Sequence, residues 1–312
     1  MKILFHDKRP YVQNAPCNYY SEIVDAIKLN HHVAFIHSDI KKISELGNNY
    51  DLLLLGFAHT DVGGKDPAPI INDVQKPIGI ILNKEYDVLD KKLNWIKNIR
   101  PSFVLTIHHD TENMTRITNV PVHRIMWSTM TNLFKDYKKP YLYDFVISGV
   151  IRKEQTNDWR RQIYNTLNRI ERKNYKVFKS VKLQEKNFQG ESLSPIDYAN
   201  LLSASKIFLS TTSPADLIST RYFEAMATNR TLIITNRMPK HVFENYLIED
   251  FNCIMFETLD EFYEKVLYYL SHEEERLKIV NTAFTYFSEN LTWKKQSDNM
   301  TNIFHNYCPQ TN

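Results

Sequence analysis

The chain has 312 residues, longer than the usual single-domain range, which predicts two domains of about 150 residues each. Its net charge of only +3 provides no strong field for nucleic acid. Three scattered cysteines (Cys17, Cys253 and Cys308) are too few for a disulfide or zinc framework. No run approaches the ~20 apolar residues of a membrane span, and the first residues lack a signal peptide's apolar core. We therefore expect a soluble, cytoplasmic protein without a transmembrane segment.

Glycine is scarce, with seven residues in the chain, and this excludes two common nucleotide-binding motifs. The first predicted strand, Lys2–Phe5, is followed by HDKRPYVQNAP rather than by G-x-G-x-x-G, and G-x-x-x-x-G-K-[ST] occurs nowhere. Those glycines let a backbone approach a pyrophosphate closely. The sequence therefore disfavours two enzyme classes, the dinucleotide-dependent dehydrogenases and the P-loop enzymes.

The first half of the chain alternates short apolar runs with helical patterns such as Tyr20–Leu29. Short buried strands separated by helices predict an α/β domain with a parallel, doubly wound sheet. The predicted strands are Lys2–Phe5, Val33–His37, Asp51–Gly56, Pro77–Leu82, Phe103–Ile107 and His123–Trp127.

Polar residues at the ends of these strands are the candidates for chemistry, because ligands of such sheets bind beyond the carboxyl ends of the strands. A carboxylate or histidine there can act as a general base or hold a sugar hydroxyl, and we take Asp7, His108 and His109 as the catalytic candidates. The alternative is that they are ordinary loop residues. No metal site is predicted from His108, His109 and Asp110, because adjacent strand residues point to opposite faces. The other polar residues at strand ends are His6, His59, Asp61, Asn83 and Glu85.

The polar stretch Lys135–Tyr143 predicts the boundary between the two domains, which we place at 1–138 and 139–292. The second domain opens with a predicted strand over Asp144–Gly149 and a helix over Asn157–Arg172. A last segment, 293–312, carries apolar residues at helical spacing whose expected role is packing.

The most informative stretch is Lys206–Arg237, which predicts a strand, a polar loop, a helix over Arg221–Thr228 and a further strand. Ser219 or Thr220 is the expected N-cap of that helix. A helix N-terminus presents free N–H groups that suit a phosphate, and Arg221 strengthens such a site. Glu224, one turn further, is placed to accept hydrogen bonds from sugar hydroxyls. The alternative is that Arg221 and Glu224 are ordinary surface charges.

The R-x-F-E-A-M-A segment at 221–227 resembles the nucleotide-sugar-binding helix of GT-B glycosyltransferases, most closely the group 1 superfamily and its spore-maturation-protein (CgeB)-like branch. Asp216 and Glu224 have the spacing of the two acidic residues of that superfamily. The chain departs from the pattern with Asp at 216 instead of Glu, and with Asn229 where glycine is usual. Asn tolerates a left-handed helix end better than most residues, so we expect the turn to survive.

The segment YDFVISGVIRKEQTNDWRRQIYNTL resembles the opening of the C-terminal domain in the same enzymes. The resemblance implies two Rossmann-like, doubly wound parallel-sheet domains facing across a cleft, with the C-terminal helix crossing back to the first domain. It also implies that Gly149 admits a phosphate, although a plain turn is the alternative for this glycine. For Arg160 and Arg161 two interpretations stay open, a place beside the diphosphate or a solvent-exposed position on the helix, and we favour the second. The implied donor-binding residues are Gly149, Val150, Arg152, Asp216, Ser219, Thr220, Arg221 and Glu224.

The implied activity is a glycosyltransferase reaction without a cofactor or metal, from a nucleotide-diphosphate sugar to a glycan or other hydroxyl-bearing acceptor. The acidic pair favours a retaining mechanism. Two alternatives stay open. An enzyme resembling 2-epimerases would form product from the nucleotide sugar alone, and a non-catalytic binding protein would leave the nucleotide sugar intact.

Overall fold

The computed structural model describes residues 1–11, 19–152, 158–184, 193–212 and 216–308, and it leaves the side chains of residues 19, 150–152 and 180–184 undescribed. The chain divides into two compact units. Unit 1 comprises Met1–Trp127 together with the chain from Trp293 onward, and unit 2 comprises Ser128–Thr292. Each unit has an apolar core of its own.

The described strands of unit 1 form one parallel sheet in the order β2-β1-β3-β4-β5-β6. Most of these strands are short runs of Leu, Ile, Val or Phe that are buried on both faces, as helix-covered parallel sheets require. The strand at one edge, β2, is largely exposed. The strands are β1 (Lys2–Asp7), β2 (His32–His37), β3 (Leu52–Leu55), β4 (Ile78–Ile81), β5 (Phe103–Thr106) and β6 (Val122–Arg124).

The described strands of unit 2 form a second parallel sheet in the order β11-β10-β9-β7-β8. In both sheets the first strand of the unit lies between the second and the third. The strand order therefore reverses beside β1 in one unit and beside β7 in the other, and such switch points are where α/β sheets bind ligands. The strands are β7 (Tyr143–Arg152), β8 (Val177–Gln184), β9 (Ser205–Leu209), β10 (Leu232–Asn236) and β11 (Ile254–Phe256).

Helices connect the strands and cover the sheets. Among the described residues, none combines the length and the apolar composition needed to cross a bilayer. The helices are α1 (Tyr19–Lys28), α2 (Leu89–Ile99), α3 (Thr111–Thr118), α4 (Trp159–Thr166), α5 (Asn168–Glu171), α6 (Pro195–Ser203), α7 (Thr220–Ala227), α8 (Lys240–Phe243), α9 (Leu259–Ser271), α10 (Glu273–Asn290) and α11 (Trp293–Tyr307).

The last helix, α11, belongs to unit 1 and packs on α1. The Trp293 indole N–H donates to a carboxylate oxygen of Glu22 at 2.7 Å, and the Ser297 hydroxyl donates to the carbonyl of Ala26 at 2.6 Å. Unit 1 therefore consists of two separate parts of the sequence, and unit 2 is the segment between them.

Two predicted elements of unit 2 have different bounds in the structure. The strand predicted to end at Gly149 continues to Arg152 as β7, where it pairs with Gln184 of β8. The helix predicted over Asn157–Arg172 is two helices, α4 and α5, interrupted at Leu167. Its first turn is fixed by Asp158, whose side chain accepts the Arg160 N–H.

Candidate active site

The switch point of unit 2 brings two arginines onto one glycine. Gly149 has φ +119°, and a Cβ built there would lie 2.3 Å from Nη1 of Arg221 and 3.1 Å from Nη1 of Arg160. Arg221 Nη1 also donates to the carbonyl of Ser148 at 3.3 Å. Any residue other than glycine would occupy the space of the guanidinium groups, so Gly149 is required for this arrangement.

Arg160 reaches the site from α4. Its backbone N–H is held by Asp158, and its Nη2 donates to the hydroxyl of Thr211 at 3.0 Å. Burial and the nearby charge of Arg221 lower the pKa of Arg160 to about 10, so it stays a cation at neutral pH. The interpretation of Arg160 as an ordinary solvated charge is wrong, because Arg160 is partly buried and its guanidinium lies beside Gly149 and Thr211. Two adjacent cations repel each other, and a bound anion would relieve that repulsion.

Helix α7 supplies Arg221. Ser219 is its N-cap with an extended backbone, and Thr220 is its first residue, one position before the predicted start. Within the described part of the chain, the Ser219 side chain makes no capping hydrogen bond, so the first-turn N–H groups are not satisfied by it. The prediction of a left-handed Asn229 after the helix is confirmed by its φ of +52°.

Glu224 lies inside unit 2 rather than on its surface, with only 7 % of its area exposed. Burial raises the pKa of its carboxyl, while hydrogen bonding with Thr220 and the charge of Arg221 act in the opposite direction. The alternative interpretation of Glu224 as a surface charge is therefore wrong. A buried carboxyl next to an arginine at a strand-end site is typical of functional residues.

Thr212, which follows β9, is held by a residue that sequence reasoning missed. Asn236, at the end of β10, accepts the Thr212 N–H at 3.2 Å and donates to the Thr212 hydroxyl at 3.1 Å. That hydroxyl donates to the carboxylate of Asp216 at 3.4 Å, and Asp216 itself has a left-handed backbone with φ +51°. The available signal was the position of Asn236, a polar residue at the carboxyl end of a buried strand.

Val150 and Arg152 belong to β7, but their side chains lie outside the described part of the structure. Their roles in donor binding stay predictions. Lys153, in the basic loop that follows, lies outside the described residues.

The switch point of unit 1 carries a carboxyl group. Asp7 ends β1, is 5 % exposed, and accepts N–H groups from Arg9 at 2.9 Å and Ala58 at 3.3 Å. A Cβ at Gly56 would lie 2.4 Å from Oδ2 of Asp7, so the absence of a side chain at Gly56 admits the carboxyl. Burial raises the pKa of Asp7, as suits a group that accepts a proton.

Beside Asp7, two histidines are buried as a pair. Nδ1 of His6 lies 2.9 Å from Nε2 of His59, and Nε2 of His6 lies 3.2 Å from the Ser38 hydroxyl. Burial lowers the pKa of His6 and lowers that of His59 to about 3, so both rings are neutral at pH 7. This pair fixes the chain between β1 and the turn after β3.

His108 and His109 lie in the loop after β5, which ends at Thr106. Their rings stack with centroids 4.4 Å apart, so the expectation that they point to opposite faces is wrong. Burial, followed by the charge of His109, lowers the pKa of His108 to about 4. Three strand spacings separate β1 from β5, about 14 Å, so these histidines and Asp7 do not form one catalytic group. In the described residues, no cluster of His, Cys, Asp and Glu is placed to hold a metal.

Residues 130–302 match the model of the glycosyl transferase-like family. The chain belongs to this family. The match covers more than half of the chain and includes the whole two-arginine site, and the protein is a glycosyltransferase. The spore-maturation-protein-like branch stays a prediction. A comparison with curated proteins gives no match.

Solved structures show the same fold, although their sequences differ widely from this chain. Alr3699/HepE of Anabaena, in complex with UDP, is 12% identical, with a TM-score of 0.62 over 98% of this chain and 100% of that one. Sucrose-phosphate synthase of Thermosynechococcus elongatus is 8% identical, with a TM-score of 0.63 over 98% and 99%. MnaA of S. aureus, in complex with UDP, is 13% identical, with a TM-score of 0.54 over 98% and 96%. The family member described here therefore has the GT-B fold.

Proposed function

We propose that this glycosyltransferase moves a sugar from a UDP-sugar, bound by unit 2, to a hydroxyl group of a glycan or other acceptor, bound by unit 1. The observation that carries the proposal is the convergence of Arg160 and Arg221 on Gly149 at the switch point of unit 2. UDP as the nucleotide is supported by the structures of HepE with UDP-glucose and of MnaA with UDP.

The two guanidinium groups supply charge where the reaction creates it. The acceptor oxygen attacks C1 of the sugar on the face from which the diphosphate departs, the bond from C1 to the β-phosphate oxygen breaks, and UDP leaves with the electron pair. Arg160, Arg221 and the N-terminus of α7 would stabilise the diphosphate as it leaves. We propose that these groups take the role that a metal ion has in other transferases.

Acidic side chains complete the proposed donor site. Glu224, buried behind Arg221, would accept hydrogen bonds from ribose hydroxyls, and Asp216 would accept them from the sugar. Asn236 holds Thr212, and the Thr212 hydroxyl donates to the carboxylate of Asp216.

We propose retention of configuration at C1, which the spacing of Asp216 and Glu224 favours. Asp7 takes the proton of the attacking hydroxyl, and His108 and His109 contact more distant acceptor groups. The anomeric coupling constant in the NMR spectrum of the product decides the stereochemistry, and an inverted product would contradict this part of the proposal.

We place the reaction in the cytoplasm. Among the described residues, the cysteines Cys253 and Cys308 are buried and free, which fits a reducing compartment.

Donor binding is tested by thermal unfolding and calorimetry with UDP, GDP, dTDP and CMP and their sugars. Ligands that bind only the folded state raise its Tm, by several degrees at saturation. We expect UDP and a UDP-sugar to stabilise the wild type, and Arg221→Ala to lose about 100-fold in UDP affinity. Arg169→Ala, which removes an exposed arginine paired with Asp260, is the matched control and should respond to UDP like the wild type.

Three results would contradict the proposal. The first is the absence of any UDP effect, and the second is an Arg221→Ala variant that binds UDP as the wild type does. The third is a product formed from the UDP-sugar alone, which would indicate the epimerase-like alternative.

A further inference from the structure

We propose that the acceptor is a carbohydrate whose pyranose ring lies in an aromatic cavity of unit 1, which we call the aromatic pocket. This inference rests on the proposed function, because it names the acceptor of that reaction. The cavity has a volume of about 250 Å³, which suits a single sugar ring. Its walls include Phe5, Asp7, Arg9, Tyr11, Tyr20 and Phe35.

The apolar wall is a row of aromatic rings at the end of β1 and β2. The rings of Phe5 and Phe35 stack with centroids 5.8 Å apart and planes 19° apart, and Tyr11 lies 5.3 Å from Phe35. Phe5 is fully buried and forms the base of this row. Flat ring faces pack well against the C–H face of a pyranose, which is broad and apolar.

The two tyrosines are fixed through their hydroxyl groups. The Tyr11 hydroxyl donates to Asp25 and accepts from Nζ of Lys28 at 3.2 Å. The Tyr20 hydroxyl accepts from the Asn83 side chain at 2.7 Å. Both tyrosines line the pocket with a cation over one face of each ring, Lys28 Nζ over Tyr11 at 4.4 Å and Arg9 over Tyr20. Rings held in this way lose little conformational entropy on binding.

Two polar groups share the cavity with the rings. Asp7 has a buried carboxyl, and Arg9 stacks on Tyr20 at 4.5 Å and pairs with Asp61 at 3.1 Å. A carboxylate accepts hydrogen bonds from sugar hydroxyls and a guanidinium donates to them. Aromatic faces combined with these groups match the apolar face and hydroxylated edge of a pyranose.

The same composition disfavours other acceptor classes. An acyl chain would remove water from Asp7 and Arg9 and offer no hydrogen bond in return, beyond those that Ala58 and Asp61 already make with them. A phosphorylated acceptor would bring its negative charge against Asp7, and the Arg9 guanidinium that could receive this charge is already paired with Asp61. A neutral sugar ring satisfies both the apolar and the polar part of the aromatic pocket.

The test uses the whole protein saturated with UDP and a panel of methyl α- and β-glycosides of glucose, galactose, mannose and N-acetylglucosamine. Saturation-transfer NMR and calorimetry measure binding, with octanol and inorganic phosphate as probes of the other classes. Two variants, Tyr11→Leu and Phe35→Leu, keep apolar volume and remove a flat ring. The matched control is Tyr86→Leu, which alters a 46 % exposed tyrosine that is not among the residues lining this cavity.

We expect one glycoside to bind, with saturation transfer strongest at the C–H protons of one ring face. Each pocket variant should weaken that binding fivefold or more, while UDP affinity and the control stay unchanged. The inference is overturned if no glycoside binds, if the leucine variants bind as the wild type does, or if only octanol or phosphate binds. If the wild type binds UDP but does not meet these criteria, the acceptor inference alone is refuted. If the wild type does not bind UDP, the donor proposal is refuted.

Discussion

The two units share a strand order but carry opposite chemistry at corresponding positions. Beside β7, the switch point of unit 2 gathers Arg160 and Arg221 over Gly149. Beside β1, the switch point of unit 1 holds Asp7, with Gly56 making room for its carboxyl. Topology therefore determines where each unit binds, and the residues that follow each strand determine what it binds.

In both sites, burial shifts the pKa of the ionisable groups so that their neutral forms are favoured. It raises the pKa of Asp7 and Glu224 and lowers that of Arg160. The charged form of each group is therefore stabilised when a ligand provides a partner of opposite charge or a hydrogen bond. Substitutions in unit 1 should therefore change turnover, and substitutions in unit 2 should change donor affinity.

The largest effect is expected in unit 1, from Asp7→Asn. The amide keeps the size of the side chain but cannot take a proton, so turnover should fall about 1000-fold. Donor affinity should stay at the wild-type value, because the donor site belongs to the other unit. Steady-state kinetics with calorimetry of UDP binding checks both statements. A variant that turns over normally would remove Asp7 from the reaction.

An intermediate effect is expected in unit 2, from Gly149→Ala. The added Cβ would meet Arg221 at 2.3 Å, in a backbone conformation that alanine adopts only with strain. We expect about 1–3 kcal/mol lower stability and at least tenfold weaker UDP binding. Gly63→Ala is the control, because Gly63 also has a positive φ, +57°, but open space around its Cβ position. If both variants bind UDP equally well, contact with the arginines is not the cause.

The effect that is smallest at neutral pH concerns the pH dependence of stability. The pKa of His108 is lowered to about 4 in the folded protein. Between pH 6.5 and 4 the unfolded chain therefore binds a proton at this residue and the folded chain does not. The free energy of unfolding should therefore be highest above pH 6.5 and fall as the pH drops towards 4, by up to about 1.4 kcal/mol per pH unit for this group.

Urea unfolding between pH 7 and 4.5 measures this slope. His108→Gln should give a shallower slope than the wild type, with little change at pH 7. Equal slopes would show that His108 titrates normally in the folded protein.

The sequence was sufficient for features that depend on local pattern. The parallel α/β sheets follow from short apolar runs, and the position of α7 with Arg221 and Glu224 follows from a cap and a helical period. Asn229 was predicted correctly because its conformation is a property of a single residue.

Features that depend on distant contacts were missed. Arg160 donates to Thr211, which lies 51 positions away, and His6 pairs with His59 at a separation of 53. A helix charge held in this way has the same sequence pattern as one in solvent. The stacking of His108 on His109 depended on β5 ending early, at Thr106, and a strand boundary is a weak signal in an apolar run.

The return of α11 to unit 1 sets an order for folding during synthesis. Unit 2 is one uninterrupted segment, so all of its residues are available once Thr292 has left the ribosome. Unit 1 is complete only when α11 is present, because Glu22 and Ala26 of α1 accept hydrogen bonds from Trp293 and Ser297. We expect the second unit of the sequence to complete its fold before the first. A nascent chain from which residues up to Thr292 have emerged would then hold a finished unit 2 and an incomplete unit 1.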